Sequence, residues 1–163
     1  MKILALDQST QITGYAVFDN TDLYKHGVID LHKEKDAWER MQIMRQKVDL
    51  LVKENKPKVV VLEDVAMQRD PQALIKLGRL QGLLMASALS RNIPVRLYLP
   101  ASWRKILGIK QGAGIKRPEL KAQAMQIIRD VYGLEPTEDE AEAICIGLSF
   151  LIDNGQIAWP PEN

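Results

Sequence analysis

The sequence predicts an α/β fold with a mixed sheet, and two observations carry this prediction. Near the start of the chain, short alternating runs separated by turn-forming residues are typical of antiparallel strands. Later, a nearly continuous β-branched run over residues 58–63 is typical of a strand that is buried on both faces of a parallel sheet. Segments with helical spacing of apolar residues flank this later strand. Because strands and helices alternate, we expect helices to pack on a sheet of five strands.

The first three strands are predicted to form an antiparallel meander. Residues 3–7 are an apolar run that ends in Asp7, residues 15–18 alternate after a polar turn, and residues 24–29 alternate again. The short polar connections are typical of hairpins. Asp7 then lies at the carboxyl end of its strand, which is where open α/β sheets place their ligands.

A helix is predicted over residues 36–55, with Asp36 as its N-cap. Apolar residues recur at helical spacing along it, and they indicate the face that packs on the sheet. These residues are Trp38, Met41, Met44, Val48, Leu51 and Val52. The strand over residues 58–63 follows and, like the first strand, ends in a carboxylate, Glu63.

A second long helix is predicted to run to about residue 91. Asp70 and Pro71 have the pattern of an N-cap and a first-turn proline. The helix carries Gly78 and Gly82, which lie four residues apart on one face. Since a glycine inside a helix costs roughly 1 kcal/mol relative to alanine, we expect close packing there, against the sheet or against a partner helix.

The last third of the chain is predicted to hold a strand, three helices and a mobile loop. In order, these are a strand over residues 95–99, a short helix over 100–107, a glycine-rich loop over 108–118, a helix over 119–132 and a final helix over 137–152. Gly133 ends the helix over 119–132. At the start of the final helix, Thr137 and Glu140 have the spacing of a capping box. We expect one domain over residues 1–155, followed by a C-terminal tail over 156–163 that is frayed over residues 159–163.

Composition excludes several function classes. The 163 residues carry a net charge of +1, so any affinity for nucleic acid has to come from local patches. The single cysteine, Cys145, rules out an intramolecular disulfide and a thiolate metal cluster, and its apolar neighbours predict a core position. No apolar stretch approaches the roughly 20 residues that cross a membrane. The cytoplasm is the default expectation for the location.

Acidic residues are concentrated in three places. Asp7 and Glu63 end two strands that a parallel pairing would bring side by side, and a third group lies at the start of the final helix. This third group contains Glu138, Asp139, Glu140 and Glu142. Grouped carboxylates repel one another unless a cation neutralises them, and Mg²⁺ or Mn²⁺ prefers such oxygen ligands. Two such ions about 3.5–4 Å apart stabilise both the attacking and the leaving oxygen of a phosphodiester.

Each acidic group also has an ordinary structural explanation. A single acid after a strand is often a turn cap, and acids in the first turn of a helix are stabilised by the helix dipole. Asp139 and Glu142 are three residues apart and share a helical face, while Glu138 and Glu142 are neighbours at a separation of four. The spacing alone therefore leaves open which glutamate would ligate a metal.

A basic segment lies between the second and third acidic groups. Its cations are Arg104, Lys105, Lys110, Lys116, Arg117, Lys121 and Arg129, with Glu119 as the one acid among them. Several of these cations lie in or beside the glycine-rich loop, which could lay them along the phosphates of a nucleic acid. A solvated helix face is the alternative. Trp103 could stack on a base, although a single aromatic of this kind is more often part of the core.

In this order and spacing, the motifs resemble the RuvC family of Holliday junction resolvases, within the RNase H-like superfamily that includes retroviral integrases. The matching segments are Leu6-Asp7-Gln8-Ser9 with Thr13-Gly14-Tyr15, Leu62-Glu63-Asp64-Val65-Ala66-Met67, Ala73-Leu74-Ile75-Lys76-Leu77-Gly78 with Gly82, Gly112-Ala113-Gly114 with Lys121-Ala122-Gln123, and Asp139-Glu140-Ala141-Glu142-Ala143. They are collinear over about residues 3–150. The resemblance implies an RNase H-like fold and a homodimer that binds four-way DNA junctions and makes paired symmetric nicks with Mg²⁺.

The resemblance also implies roles for the acids. Asp7 would bridge two metal ions, and Glu63 would ligate one of them. Asp139 and Glu142 occupy the places of the last two family acids, the second of which is commonly Asp. Because the longer Glu142 departs from that pattern, two other glutamates of the same helix start stay alternative ligands. These are Glu138 and Glu140.

For the other positions, the resemblance matches Lys121 with a lysine near the scissile phosphate, and Arg104 or Lys105 with a second basic position. An aromatic residue that cellular members carry just after the Glu motif is associated with stacking at the junction centre, and this chain has Ala66 there. We therefore expect a phage-type or mobile-element member of the family, with looser substrate choice and no cellular protein partner.

The expected function is metal-dependent resolution of four-way junctions by two-metal phosphodiester hydrolysis, with Mn²⁺ able to replace Mg²⁺. The expected DNA contacts are Arg104, Lys105, Lys110, Lys116, Arg117 and Lys121. A broader nuclease for flaps and forks and a non-catalytic junction-binding module are the alternatives. A sugar-kinase-like or actin-like ATPase begins with a similar strand and turn, but that fold needs two such domains. Dimerisation is expected through the helix that carries Gly78 and Gly82.

Overall fold

The computed structural model describes residues 1–67 and 69–160, which form a mixed sheet with helices on both faces. The strands are β1 (Lys2–Asp7), β2 (Ile12–Asp19), β3 (Asp22–Asp30), β4 (Val59–Glu63) and β5 (Val95–Tyr98). The helices are α1 (Ala37–Asn55), α2 (Pro71–Leu89), α3 (Pro100–Ile106), α4 (Arg117–Tyr132) and α5 (Glu138–Asp153). The predicted five-stranded sheet is confirmed.

The strand order β3-β2-β1-β4-β5 places the first strand at the centre of the sheet. β1 and β3 both pair antiparallel with β2, which confirms the meander, and β4 pairs parallel with both β1 and β5. Leu6 pairs with Leu62 across β1 and β4. Asp7 and Glu63 are the next residues, so the two carboxylates end adjacent parallel strands at the same edge of the sheet.

Two apolar layers cover the two faces of the sheet, as the two-residue period of a strand requires. Ile3 and Ala5 point into the layer formed by α3, α4 and α5, and both are fully buried. Leu4 and Leu6, which alternate with them, point into the layer formed by α1 and α2. A buried side chain of this size contributes roughly 1.5–3 kcal/mol, so the central strand is anchored from both sides.

Helix α5 packs directly against the central strands. Its residues 141–151 are all buried, including Cys145, as predicted. Close packing is achieved at Gly147, where an added Cβ would overlap the ring of Phe18 on β2. The middle of α5 is thereby held close to β1 and β2.

The expected burial of Trp38 is wrong, and one of the two expected packing partners of Gly78 and Gly82 is excluded. Trp38 has the spacing of the buried face of α1, but it lies in the first turn of this helix and 67% of its surface is exposed. Gly78 and Gly82 do not pack against the sheet, since a Cβ added at either one would meet no atom within 4 Å in the described part of the chain. Their exposed face leaves a partner helix as the remaining expectation.

The boundaries of two other segments also differ from the prediction. The loop after α3 is shorter than expected, because α4 already begins at Arg117 with Pro118 in its first turn. Beyond α5, Ile157 and Trp159 pack against the apolar layer of α3, α4 and α5, so Trp159 is not frayed as expected. The end of the expected tail, residues 161–163, lies outside the described residues. In the described ranges, none of the helices is long and apolar enough to span a membrane.

Candidate active site

Three carboxylates meet where the first strand ends and the last helix begins. The side chains of Asp7, Asp139 and Glu142 each offer one oxygen, and these oxygens all lie within 4.8 Å of one another. Asp7 comes from β1, and the other two come from one face of α5, as their separation of three residues predicts. The cluster thus joins two segments that are more than 130 residues apart in the sequence.

The approach of α5 to β1 depends on the absence of a side chain at Gly14. Gly14 pairs with Asp7 across the sheet, and a Cβ built on it would overlap the backbone carbonyl of Asp139. The helix start itself is fixed by the predicted capping box. The Thr137 hydroxyl accepts from the Glu140 amide at 3.3 Å, and the Glu140 carboxylate accepts from the Thr137 amide at 2.8 Å.

Glu63 joins the site from the end of β4, where Trp103 of α3 holds it. The indole Nε1–H of Trp103 donates to Glu63 Oε2 at 2.6 Å, and the Trp103 ring is completely buried. The Trp103 carbonyl in turn accepts from the Ser149 hydroxyl of α5 at 3.2 Å. The sequence prediction of a core position for Trp103 is confirmed, but its hydrogen bond to a candidate metal ligand was not predicted.

Arg104, the next residue of α3, faces another acid of the site. Its Nη2 lies 3.6 Å from Glu142 Oε1, and its guanidinium is 4.9 Å from the centre of the Trp103 ring. Because both partners of this ion pair are mostly buried, solvent screens it less than a surface pair. Two consecutive residues of α3 therefore orient two different carboxylates.

Two carboxylates of the site, those of Asp7 and Glu63, have a raised pKa. Burial, first of all, raises the pKa of Asp7 well above its usual value, and the negative charges of Glu142, Glu63 and Asp139 raise it further. Burial also raises the pKa of Glu63, against the opposing effect of the Trp103 hydrogen bond, while Glu142 raises it and Arg104 lowers it. Such a cluster is stabilised when a hard divalent cation replaces the protons, so the donor set fits Mg²⁺ or Mn²⁺.

The four acids lie in a cleft of about 500 Å³, which we call the acidic cleft. It is lined by Asp7, Gln8, Ser9, Glu63, Ala66, Leu77, Pro100, Arg104, Arg117, Leu120, Asp139 and Glu142. Two of the predicted cations, Arg104 and Arg117, thus share the cleft with all four predicted acids. Ala66, which takes the place of an expected aromatic, lies in the same wall.

The two alternative glutamates of α5 face other partners. The Glu138 carboxylate accepts from Lys121 Nζ at 2.6 Å. Glu140 is held by the capping box and lies 2.9 Å from Nδ1 of His26, and these hydrogen bonds outweigh partial burial to lower its pKa. Of the three glutamates considered for the metal site, Glu142 is the one that the structure brings together with Asp7 and Asp139.

Lys121 lies beside the acidic cluster and is bonded to Glu138. Partial burial lowers the pKa of its ammonium, but the hydrogen bond to Glu138 and the charges of Glu142 and Asp139 more than offset that effect and raise it. Lys121 is therefore held as a cation near the acids.

The remaining predicted DNA contacts are more widely spread. Lys105 lines a separate depression with Tyr98 and Asp153. Lys110 and Lys116 are exposed in the loop between α3 and α4. The Gln123 side chain of α4 bonds both to the amide of Lys110 at 2.8 Å and to its carbonyl at 3.1 Å, which ties the beginning of this loop to the fold.

The mixed sheet in this order, with a carboxylate cluster at the shared edge of β1 and β4, defines a protein of the RNase H-like fold with a candidate metal centre. The family model described as "Crossover junction endodeoxyribonuclease RuvC" matches residues 3–150. The chain therefore belongs to the RuvC family, as its motifs indicated.

Curated relatives of similar length support this membership. A protein of Halorhodospira halophila is 28% identical over 152 residues, which cover 90% of this chain and 87% of the relative. A protein of Chlamydia trachomatis serovar L2 is 26% identical over 151 residues, covering 90% and 88%. Both carry the name crossover junction endodeoxyribonuclease RuvC.

Solved structures show the same fold. Thermus thermophilus RuvC, in a structure described as a complex with Holliday junction substrate, superimposes with a TM-score of 0.75 at 21% identity, covering 96% of this chain and 97% of that one. The yeast mitochondrial Holliday junction resolvase Ydc2 gives a TM-score of 0.61 at 16% identity, covering 94% and 79%. At these identities, the likeness establishes the fold.

Proposed function

We propose that this protein is a metal-dependent endonuclease that resolves four-way DNA junctions by paired symmetric nicks. The observation that carries the proposal is the meeting of Asp7, Asp139 and Glu142 within 4.8 Å, with Glu63 in the same cleft. A pure phosphate-binding surface gains nothing from buried carboxylates, because they repel the ligand. Family membership supplies the substrate class, since the curated relatives are named crossover junction endodeoxyribonucleases.

The proposed ligands of two Mg²⁺ ions are Asp7, Glu63, Asp139 and Glu142, with Mn²⁺ as a substitute. Bound there, such ions would supply Lewis-acid activation of the attacking water and of the leaving oxygen. Trp103 keeps one oxygen of Glu63 fixed by its N–H, and Arg104 restrains Glu142. Two of the four carboxylates are thereby oriented before DNA arrives, which lowers the cost of reaching the reactive geometry.

Cations at the acidic cleft are proposed to hold the phosphate. Arg104 and Arg117 line the cleft, and Lys121 lies beside it, so their charges face the non-bridging oxygens of a bound phosphodiester. Lys110 and Lys116 extend the positive charge along the loop between α3 and α4. Lys105 stays a predicted contact for DNA that continues beyond the cleft. With a net charge of +1, the affinity depends on these local cations.

A homodimer is proposed because paired symmetric nicks need two active sites on one junction. The exposed face of α2 carries Gly78 and Gly82 together with Ile75 and Leu89, which are 43% and 52% exposed. Small residues on a helix face allow a second helix to approach closely. Light scattering at micromolar concentration tests this, and a monomeric mass would contradict the dimer. We place the protein in the cytoplasm, associated with DNA.

A broader nuclease for flaps and forks is the second candidate. Ala66 favours it, because its small side chain lines the acidic cleft where the resemblance leads one to expect an aromatic. A cleft wall without a large ring selects less strongly among branched forms. For both candidates, we propose that residues 1–155 form a single domain and that the protein acts without a cellular protein partner.

The decisive test is nicking of a labelled, immobile four-way junction with Mg²⁺, with flap, fork and plain duplex substrates alongside. We expect symmetric paired nicks on the junction. Equal cutting of every branched form would instead support the broader nuclease. Tight junction binding without any cutting in Mg²⁺ or Mn²⁺ would contradict both and leave a non-catalytic binding module.

A further inference from the structure

We propose that Trp38, together with Arg79 and Lys76, forms a second DNA-binding site that stacks an unpaired base beside the acidic cleft. The inference rests on the proposed function, because it names a further part of the same DNA that the cleft would cut. Trp38 lies in the first turn of α1, and the two cations lie on the neighbouring helix α2.

The exposure of Trp38 is the first observation. An indole with 67% of its surface in water covers little of the core, although its position in the helical pattern predicted burial. The guanidinium of Arg79 lies 5.6 Å from the centre of the indole ring. A cation over an aromatic ring positions both groups. The ring is therefore presented to solvent as an oriented surface.

The second observation is a groove at the start of α1, the segment that carries Trp38. A groove of about 170 Å³, which we call the outer groove, runs between the β1–β2 loop, the start of α1 and α2. It is lined by Thr10, Gln11, Ala37, Arg40, Met41 and Lys76. Ser9 and Leu77, each next in sequence to a residue of the outer groove, line the acidic cleft. Adjacent residues of the β1–β2 loop and of α2 therefore line the two depressions, and DNA that extends from the acidic cleft on this side would pass the start of α1.

The charge of α2 is the third observation. Residues 71–89 contain Lys76 and Arg79 but no Asp or Glu. Within the described ranges, neither cation is engaged in an ion pair. Arg40 differs from them, because its Nη1 donates to the backbone carbonyls of Glu34 and Lys35. Arg79 lies over the indole, and Lys76 lies three residues before Arg79 on the same helix, so two cations outside any ion pair are available for the phosphates beside a stacked base.

An unpaired nucleobase of branched DNA is the occupant that this combination fits. Aromatic side chains that stack bases, with cations that follow the backbone, are the recurring means of binding single-stranded nucleic acid. In an intact duplex the base faces are already stacked on their neighbours. At a branch point some bases lose a stacking neighbour, so the indole can supply one. A second copy of the chain over Trp38 is the competing occupant.

The test measures DNA binding on an Asp7→Asn background, which removes cleavage. Trp38→Ala is expected to weaken binding of the four-way junction about tenfold, as the loss of one base stack does, and to change binding of a duplex of equal length less than threefold. Trp38→Phe, which keeps an aromatic face, should recover most of the affinity. Junction binding should also quench tryptophan emission in the parent protein more than in Trp38→Phe.

Tyr24→Ala is the matched control. Tyr24 is also exposed, at 62%, and also carries a cation, since Lys2 Nζ lies 4.6 Å from its ring centre. It lies near the start of β3, and its cation lies at the start of β1, away from the carboxyl end that holds the acids. Its removal is expected to leave junction affinity within twofold.

Four outcomes would overturn the inference. Unchanged junction affinity in Trp38→Ala would contradict stacking, and an equal loss on junction and duplex would point to charge or folding instead. A lower mass of DNA-free Trp38→Ala by light scattering would show that a second copy covers the ring. If the parent protein itself bound no branched DNA, the proposed function would fail as well. In the first three cases that function would stand.

Discussion

The two sides of the acidic cleft are built on opposite electrostatic principles. On the side of α5, Asp139 and Glu142 approach Asp7, and burial together with like charge raises the pKa of the Asp7 carboxyl. On the side of α3, Trp103 and Arg104 bring a donor and a cation to the acids. One side therefore needs a cation to be stable, while the other side is oriented without one.

This difference assigns separate tasks to the two helices. The α5 side creates the demand for a metal ion, because three carboxylates in a partly buried space repel one another. The α3 side keeps Glu63 and Glu142 from turning away when the ion is absent. Substitutions on the α5 side should accordingly reduce cleavage even at saturating Mg²⁺, whereas substitutions on the α3 side should raise the Mg²⁺ concentration that cleavage requires.

The largest effect is expected from Asp7→Asn. It removes the carboxylate shared by the whole cluster, so we expect the cleavage rate to fall at least about a thousandfold, or roughly 4 kcal/mol of barrier. Junction binding should persist, since cations supply the affinity. A time course of nicking with a parallel binding titration measures both. Asp64→Asn is the matched control, because Asp64 follows Glu63 but lines the depression of Lys105. Loss of binding in Asp7→Asn would contradict this assignment.

The next effect is expected from Gly14→Ala, which acts on the α5 side without touching a carboxylate. The added methyl group would overlap the Asp139 carbonyl and push the start of α5 away from β1. A displacement of about 1 Å can cost roughly a hundredfold in rate, and we expect a loss of that order at saturating Mg²⁺.

Gly147→Ala is the control for Gly14→Ala. It creates a similar overlap, with Phe18, in the middle of α5 and away from the acids. Overpacking of this kind costs about 1–3 kcal/mol of stability, so both variants should melt earlier. Only Gly14→Ala should lose cleavage at temperatures where it is folded. Equal activity losses in the two folded variants would mean that Gly14 has no specific positioning role.

A smaller effect is expected on the α3 side from Trp103→Phe. Phenylalanine keeps an aromatic ring at this position, although a smaller one than the indole. Glu63 loses the N–H donor that lies 2.6 Å from its Oε2 and that opposes the rise of the Glu63 pKa. Protons then compete better for Glu63, and we expect half-maximal cleavage to require about tenfold more Mg²⁺. Tyr98→Phe, which removes a 2.7 Å bond to Asp153 outside the cleft, should leave the Mg²⁺ requirement unchanged. An unchanged requirement in Trp103→Phe would show that the indole only fills space.

The sequence was sufficient to predict those relations between the acids that depend on local strand and helix patterns. Asp7 and Glu63 were predicted to be neighbours because each ends a strand, and strand ends of parallel pairs meet at one edge. Asp139 and Glu142 were predicted to share a face because helical spacing fixes it. The choice of Glu142 rather than Glu138 or Glu140 as the fourth acid of one site came from the family resemblance and not from the spacing.

Contacts between distant elements could not be predicted in this way. Trp103 was correctly expected in the core, but its bond to Glu63 joins residues 40 positions apart and depends on how α3 is set against β4. The exposure of Trp38 likewise depends on which other elements pack against the first turn of α1. Periodicity states which face of an element is apolar, but it does not state what lies opposite that face or where the covered region stops.

The last and smallest expected effect is an increase in the stability of the metal-free protein in Asp7→Asn. It tests directly whether the α5 side of the acidic cleft is strained by its carboxylates. Burial, and then the charges of Glu142, Glu63 and Asp139, raise the pKa of Asp7, so the folded, metal-free protein holds that proton more tightly than the unfolded chain. The resulting stabilisation is complete below the unfolded pKa of about 3.9 and is lost as the pH rises through the folded value. Asp7→Asn has no such loss.

We therefore expect metal-free Asp7→Asn to melt at a higher temperature than the parent protein near neutral pH, with the difference shrinking at acid pH. For a domain of this size, 1 kcal/mol corresponds to about 2–4 °C, and we expect a rise of at least that size in EDTA. Mg²⁺ should raise the melting temperature of the parent protein more than that of the variant, because it neutralises the same repulsion. Asp130→Asn, at an exposed carboxylate of α4, should stay within about 0.5 kcal/mol. A lower melting temperature for metal-free Asp7→Asn would mean that the acids of α5 are not strained against β1, and the contrast between the two sides of the cleft would not hold.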